Sequence, residues 1–366
     1  MNFRLWLAAR RLAAMVCMGV AVLLGTEPAI AAPIATPIAI APYTLTTFNG
    51  VPPGGATAPD DLAISADGKN LWVGYGNNVA ADGTGGPSNL VEYNISTGAV
   101  LQNISIPGHL DGLKINPATG DVWATENEDA NPTLTIVDSK NGKFKTSTFS
   151  TTSITGGLDD LVFAGRESDV FIVASSQADT TTPVIVQLSG KPKKTIASVI
   201  QTLSGSPANV WNVVTNANET SDQIGDPDSM TVDPAGELVL DNRSDDSLYI
   251  VRSPSAAKPV LRVPLKLGGL AVEVNDTIFT TSETTGESST AGTIFITDTS
   301  ANAIYMLSKP YFPSNEVYTA ANVVNDVGLV NLNTGVVTPV ITGFAGVHGL
   351  AYSPTSVTIA PSSDER

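Results

Sequence analysis

The chain has 366 residues, with 19 Lys and Arg against 35 Asp and Glu, a net charge of −16, and 15% charged residues in all. So little charge, together with 32 Gly and 24 Pro, excludes a helical bundle, a coiled coil and a polyampholytic disordered chain. The acidic balance excludes electrostatic capture of nucleic acid or of an anionic membrane as the main activity.

Residues 1–31 read as a secretory signal peptide. Arg4, Arg10 and Arg11 form a basic start, Leu12 to Leu24 is an unbroken apolar run, and Ala29-Ile30-Ala31 fits the small-residue cleavage rule. The run is too short for a membrane span, which needs about 20 residues. A secreted or periplasmic product with no membrane attachment is therefore predicted. Its charge is near −18, because three Arg and Glu27 leave with the leader. Cys17, the only cysteine, leaves too, which removes disulfides, thiolate metal sites and a Cys nucleophile. Residues 32–42 form a Pro/Ala linker and 362–366 a polar tail, leaving one domain over 43–361.

Within that domain, short Val/Ile/Thr/aromatic runs alternate with Gly, Asn, Asp and Pro, a pattern of strands and turns. One unit recurs: a polar residue, an apolar strand, a tight turn and a second strand. Its copies start at Asp60, Asp111, Asp159 and Asp228, with weaker ones at Gly268 and His348. The steps between starts are 51, 48, 69, 40 and 80 residues. Four-stranded antiparallel units of this kind predict an all-β β-propeller of six blades. The 69-residue step carries an insertion, placed at Gln201 to Pro227 and containing Trp211. The 80-residue step leaves seven blades open. The last copy, HGLAYSPTSVTIA, ends after its second strand, and residues 43–48 supply an outer strand to that blade and close the ring, which hides sheet edges.

The repeat predicts where function sits. The first residue of each unit lies at the mouth of the central channel, giving a ring of Asp60, Asp111, Asp159, Asp228, Gly268 and His348. The second strands end just outside it, at Asn77 and Asn78, Glu126 and Asn127, Ser175 and Ser176, Asp241 and Asn242, and Glu283. Carboxylates crowded on one axis raise one another's pKa unless a counter-charge is present. Oxygen donors of this type suit Ca²⁺ or another hard divalent ion, with Asp60, Asp111, Asp159 and Asp228 as ligands. The competing reading is that these Asp residues cap strand turns by accepting backbone N–H bonds. Of the two histidines, His348 stands in the ring and His109 two residues before a ring position. Glu126, Asn127, Asn242, Trp211 and His109 are the candidate substrate contacts of this face. Trp72 and Trp123 occupy one repeat position and are read as packing residues.

The segment DPDSMTVDPAGELVLDNRSDDSLYIV, residues 226–251, resembles the P-D-G-M-x-x-D-x-x-G-x-L segment of the senescence-marker-protein/gluconolactonase/luciferin-regenerating-enzyme group, which has NHL-repeat relatives. The resemblance implies a six-bladed propeller and makes Asp228 a metal ligand. Gly156-Gly157 stands where that group has an Asn ligand, and its early Glu ligand has no counterpart. Two functions follow. One is a Ca²⁺-dependent hydrolase of a lactone or ester, with Asp228 at the metal and His348 or a ring carboxylate activating water. The other is a non-catalytic propeller that binds a small molecule, a carbohydrate or a protein partner on the same acidic face. No organic cofactor is expected, and a monomer is.

Overall fold

The computed structural model describes residues 36–148, 157–164, 170–173, 183–189, 198–204, 207, 209–219, 224–281 and 289–355. The predicted leader, Ser175, Ser176, Glu283 and the tail after 355 lie outside them. Among the described residues the fold is all-β apart from one three-residue 3₁₀ turn, Arg243–Asp245, and no helix is long and apolar enough to cross a membrane.

The first four sheets are consecutive antiparallel meanders. They run Pro59–Ile64, Asn70–Tyr75, Pro87–Asn94, Val100–Pro107; then Leu110–Ile115, Val122–Glu126, Thr133–Val137, Phe144–Thr148. The third comprises Leu161–Phe163, Val170–Val173, Pro183–Ser189 and Ser198–Ser204, and the fourth Pro227–Val232, Leu238–Asn242, Ser247–Val251 and Val260–Pro264. Local sequence explains the hairpins. Gly68, Gly120 and Gly236 hold positive φ in three first turns, where a side chain would be strained. Asn116 and Asp233 brace two of those turns by accepting backbone N–H bonds at 2.9 Å from Ala118 and Ala235.

The strands form six sheets among the described residues, and the innermost strand of each touches that of the next around a closed ring. This is a β-propeller. Apolar clusters fill the gaps between neighbouring sheets: Leu62, Val73 and Phe295 join the first and sixth, and Trp72, Leu110 and Leu113 the first and second. Trp72 is fully buried and Trp123 nearly so, as their repeat position predicts. Each large apolar side chain buried this way contributes about 1.5–3 kcal/mol, which is what holds the sheets together without disulfides.

The last two sheets depart from the expected order. The innermost strand of the fifth is Asp276–Phe279, not a strand from Gly268; Lys266–Leu267 and Leu270–Ala271 form a small hairpin at the outer edge instead. After Phe279 the chain leaves that sheet to build the second and third strands of the sixth, Ser289–Asp298 and Ala303–Pro313. It then returns to finish the fifth with Val317–Ala321, Asp326–Asn331 and Val336–Thr342, and ends with the innermost strand of the sixth, Val347–Ser353. Ser289–Asp298 thus takes the place the sequence had suggested for residues after Ser353. Thr44–Thr47 pairs with Ala303–Pro313 and supplies the outer strand of the sixth sheet, so the N-terminal strand closes the ring as predicted. The insertion begins after Ser204, and its hairpin, Val210–Asn212 and Ala217–Glu219, extends the outer edge of the fourth sheet.

Candidate functional site at the channel mouth

The innermost strands of the first, second and fourth sheets share one irregularity. The register shifts between Pro59 and Leu62, between Leu110 and Leu113, and between Pro227 and Met230. A bulge of this kind breaks the in–out alternation, so two successive residues address the channel. The result is two stacked tiers. The outer tier is Asp60, Asp111, Asp159, Asp228, Asn275 and His348; the deeper is Asp61, Gly112, Asp160, Ser229, Asp276 and Gly349. Asn275, in place of the expected Gly268, completes the outer tier.

The deeper tier is self-contained. Asp61 accepts the Leu113 N–H at 2.7 Å, Asp160 the Met230 N–H at 2.9 Å, and Asp276 the Leu350 N–H at 2.6 Å. Each carboxylate thus ties an odd-numbered sheet to the next. The intervening positions are small because there is no room: a Cβ on Gly112 would come within 2.5 Å of the Asp160 Cα, and one on Gly349 within 2.5 Å of the Asp60 carbonyl oxygen. Lys114 provides the counter-charge, its Nζ lying 3.0 Å from Asp61 and 2.9 Å from Asp160. Burial lifts Asp61 to about 8 against the pull of Lys114, and Asp276 to about 6. The ammonium itself is held charged, since these carboxylates outweigh its desolvation. Lys114 and Asp276 also face a cavity of about 390 Å³ toward the opposite end of the channel.

The outer tier opens into a cavity of about 230 Å³, to which the loops add His109, Glu128 and Arg243; Asp159 alone of the tier is buried behind it, facing the narrow space between the tiers. Donor atoms of Asp111, Glu128 and Asp159 lie within 4.8 Å of one another, and so do those of Asp60, His109 and Asp111. His348 Nδ1 is 2.8 Å from Asp60 Oδ1, while Arg243 Nε lies 2.9 Å from Glu273 and 3.5 Å from Asp228. Burial pushes up Asp111 and Asp159; the charges of Glu128, Asp60 and Asp228 push Asp111 further, and those of Asp111, Asp228 and Glu128 push Asp159 further. Burial raises Asp228 to about 8 in spite of Arg243. Burial alone would lift Asp60 too, but the charge and hydrogen bond of His348 hold it below its ordinary value. Burial would lower His348, yet Asp60 carries it to about 9. Asp228 Oδ2 has only the distant Arg243 Nε, the Asn275 amide packs 2.9 Å from His348 Nδ1, and Asp111 Oδ2 is buried without a hydrogen-bond partner, a cost of about 1–3 kcal/mol. An unpartnered oxygen beside several carboxylates is what a hard divalent cation would satisfy.

The predicted residues separate into three groups. Asp60, Asp111, Asp159, Asp228, His109 and His348 meet in the mouth, but Asp60 is committed to His348, and that pairing makes His348 a cation at neutral pH instead of a free base. Asn127 and Asn242 lie beneath the mouth: Asn127 Oδ1 accepts the His109 N–H at 2.9 Å, and Asn242 Oδ1 accepts the Asp226 N–H at 3.2 Å. Glu126 and Trp211 do not line the cavity. Glu126 is fully buried against Thr133, where burial lifts it to about 7. Trp211 sits in the outer hairpin of the fourth sheet under Lys258, whose Nζ is 3.5 Å from the ring centroid. Glu128, Arg243 and Asn275 were missed. Glu128 and Arg243 stand one or two residues past the second-strand ends, in loops whose acidic and amidic composition was the only signal.

No protein family matches the sequence, and no curated protein is similar to it. Among solved structures, similarity is found to a protein of unknown function from Bacteroides caccae, at 10% identity over 80% of this chain and 86% of that one, with a TM-score of 0.44. A streptogramin B lyase matches at 14% identity over 84% and 90%, TM-score 0.45. Virginiamycin B lyase from Staphylococcus aureus matches at 11% over 86% and 90%, TM-score 0.44. Likeness at this level concerns the fold alone; it does not place the chain in the gluconolactonase group.

Proposed function

We propose that the chain is a divalent-cation-dependent hydrolase of a lactone or ester, acting at the channel mouth. The observation that carries this reading is the convergence of Asp111, Glu128 and Asp159 within 4.8 Å beside a buried Asp111 oxygen that nothing else satisfies. An all-oxygen donor set of this kind favours Ca²⁺. When bound, such an ion polarises an ester carbonyl. Asp228, which faces the same cavity beside Arg243, is placed to take a proton from water and serves as the base. His348, positively charged beside Asp60, donates a hydrogen bond to developing oxyanion charge, and Arg243 supports it from across the cavity. A volume of about 230 Å³ admits a small lactone or ester and excludes a polymer. Export through the leader at residues 1–31 and a monomeric state complete the proposal.

The test begins with bound Ca²⁺ in the purified chain and its melting temperature with and without chelator. Bound ion and a chelator-sensitive melt are expected; absence of both overturns the reading. On a panel of lactones and aryl esters, Asp228→Asn should then lose about 10²- to 10⁴-fold in rate with its fold intact. A second reading, a non-catalytic sugar- or protein-binding propeller, draws support from the internal pairing of both cations, His348 with Asp60 and Arg243 with Glu273. A wild-type chain that binds Ca²⁺ and turns over nothing on the panel would favour it.

A further inference from the structure

We propose that the mouth holds a second cation site, formed by Asp60, His109 and Asp111 and bridged through Asp111 to the site of Asp111, Glu128 and Asp159; the bridge rests on the cation reading above. The donor atoms of Asp60, His109 and Asp111 lie within 4.8 Å of one another, and one nitrogen among them sets this group apart from its all-oxygen neighbour. The orientation of His109 is the independent sign. Its Nδ1 lies 2.9 Å from the Val79 carbonyl oxygen, which can only accept, so Nδ1 carries a proton and Nε2 is left to coordinate. Ligating histidines are fixed in this manner by a carbonyl or carboxylate behind the ring.

The surroundings keep that ring in place. Asn127 binds the His109 backbone on both sides, accepting its N–H at 2.9 Å and donating to its carbonyl at 2.9 Å. Gly76 leaves space for the ring, since a Cβ there would come within 3.3 Å of Cε1. Nε2 then points toward Glu128, 4.0 Å from its Oε1, which puts the nitrogen beside the carboxylate site. Asp60 spends Oδ1 on His348 and has Oδ2 to offer, and Asp111 Oδ2 is buried with no partner. Asn275, only 6% exposed, lines the same cavity and braces His348 Nδ1 at 2.9 Å, which steadies the ring that Asp60 is paired with. One imidazole with two carboxylates suits Zn²⁺, Mn²⁺ or Co²⁺ better than Ca²⁺. The mouth is thus a mixed pair: a hard site and a borderline site that share one aspartate.

The experiment counts ions. The purified chain, His109→Gln and Asp159→Asn are equilibrated with Co²⁺, bound metal is measured by mass spectrometry, and pulsed electron paramagnetic resonance reports imidazole nitrogen on the ion. The wild type should hold two Co²⁺ with a nitrogen signal. His109→Gln should hold one without it, and Asp159→Asn one with it. One ion in the wild type, no nitrogen signal and no effect of His109→Gln would overturn the second site and leave the carboxylate site standing. Two ions in His109→Gln would overturn it as well. Failure to bind either Co²⁺ or Ca²⁺ would overturn both readings. Should His109→Gln not fold, the nitrogen signal in the wild type and Asp159→Asn decides by itself.

Discussion

The two tiers of the channel are one residue apart in every repeat, yet they behave as opposites. In the deeper tier each aspartate accepts a backbone N–H from the next sheet, and Lys114 neutralises the group. In the outer tier an oxygen of Asp111 is left over, and the available cations are shared among Asp60, Asp228 and Glu273. The sequence posed backbone bonding and metal binding as alternatives for the first residue of each unit; among the described residues the bonds between sheets are made by the next residue along, which leaves the first free for the proposed ion. A bulge that presents consecutive residues lets one position tie sheets together while its neighbour faces the mouth.

The comparison breaks most severely at Lys114. Lys114→Met leaves Asp61, Asp160 and Asp276 buried around no counter-charge, and a loss of about 3–5 kcal/mol in urea unfolding is expected at neutral pH. Much of it should return in acid, where the carboxylates are protonated; an equal loss at both pH values would show that packing, not charge, is at stake. Gly112→Ala attacks the same tier sterically. With the Asp160 backbone within 2.5 Å of the new methyl, about 1–3 kcal/mol should be lost, independent of pH and of added cation.

The outer tier answers to pH in a direction set by its shifts. Asp228 is raised from 3.8 to about 8 and His348 from 6.5 to about 9, so the folded state binds more protons than the unfolded one between those limits. Their contribution is complete below the unfolded values and is lost as pH climbs through the folded ones. In chelator the melting temperature should therefore fall from about pH 4 to about pH 9, and Ca²⁺ should restore more of it at the alkaline end. Asp60, held low, acts oppositely, and only in acid. The smallest effect belongs to Asp159→Asn: with chelator the melt should match or slightly exceed wild type, because a buried carboxyl crowded by Asp111 and Glu128 gives way to a neutral isostere, while the Ca²⁺-induced shift disappears. A persisting shift would remove Asp159 from the ion.

The sheets with consecutive strands were legible because the repeat encodes hairpins, and hairpins are local. Five of its copies, those from Asp60, Asp111, Asp159, Asp228 and His348, placed their innermost strands correctly. The copy at Gly268 was misplaced because Gly268-Gly269 marks a tight turn wherever it occurs, here in an edge hairpin. Which sheet a hairpin joins is a non-local matter, and nothing in Ser289–Asp298 announces that it will pair with a strand more than fifty residues later. The ring of outer carboxylates was legible for the same local reason. The counter-charges were legible only in part: His348 stands in the ring, whereas Lys114 of the deeper tier and Arg243 of the outer start from backbone positions off it and arrive by the reach of their side chains.

The crossing of the chain between the fifth and sixth sheets has a consequence for assembly. A chain growing from its N-terminus can complete four sheets in sequence, each from contacts within a few dozen residues. The remaining two share strands in the order five, six, five, six, so the fifth has its inner four only at Thr342 and the sixth its innermost only at Ser353, and the outermost strand of the last was made at Thr44–Thr47. Closure of the circle therefore waits on contacts between the two ends of the chain, and contacts of such sequence separation set a slow pace. Until that moment the first sheet keeps an open flank, with Phe48, Val73 and Tyr93 awaiting Phe295. Folding of this propeller ends with a clasp.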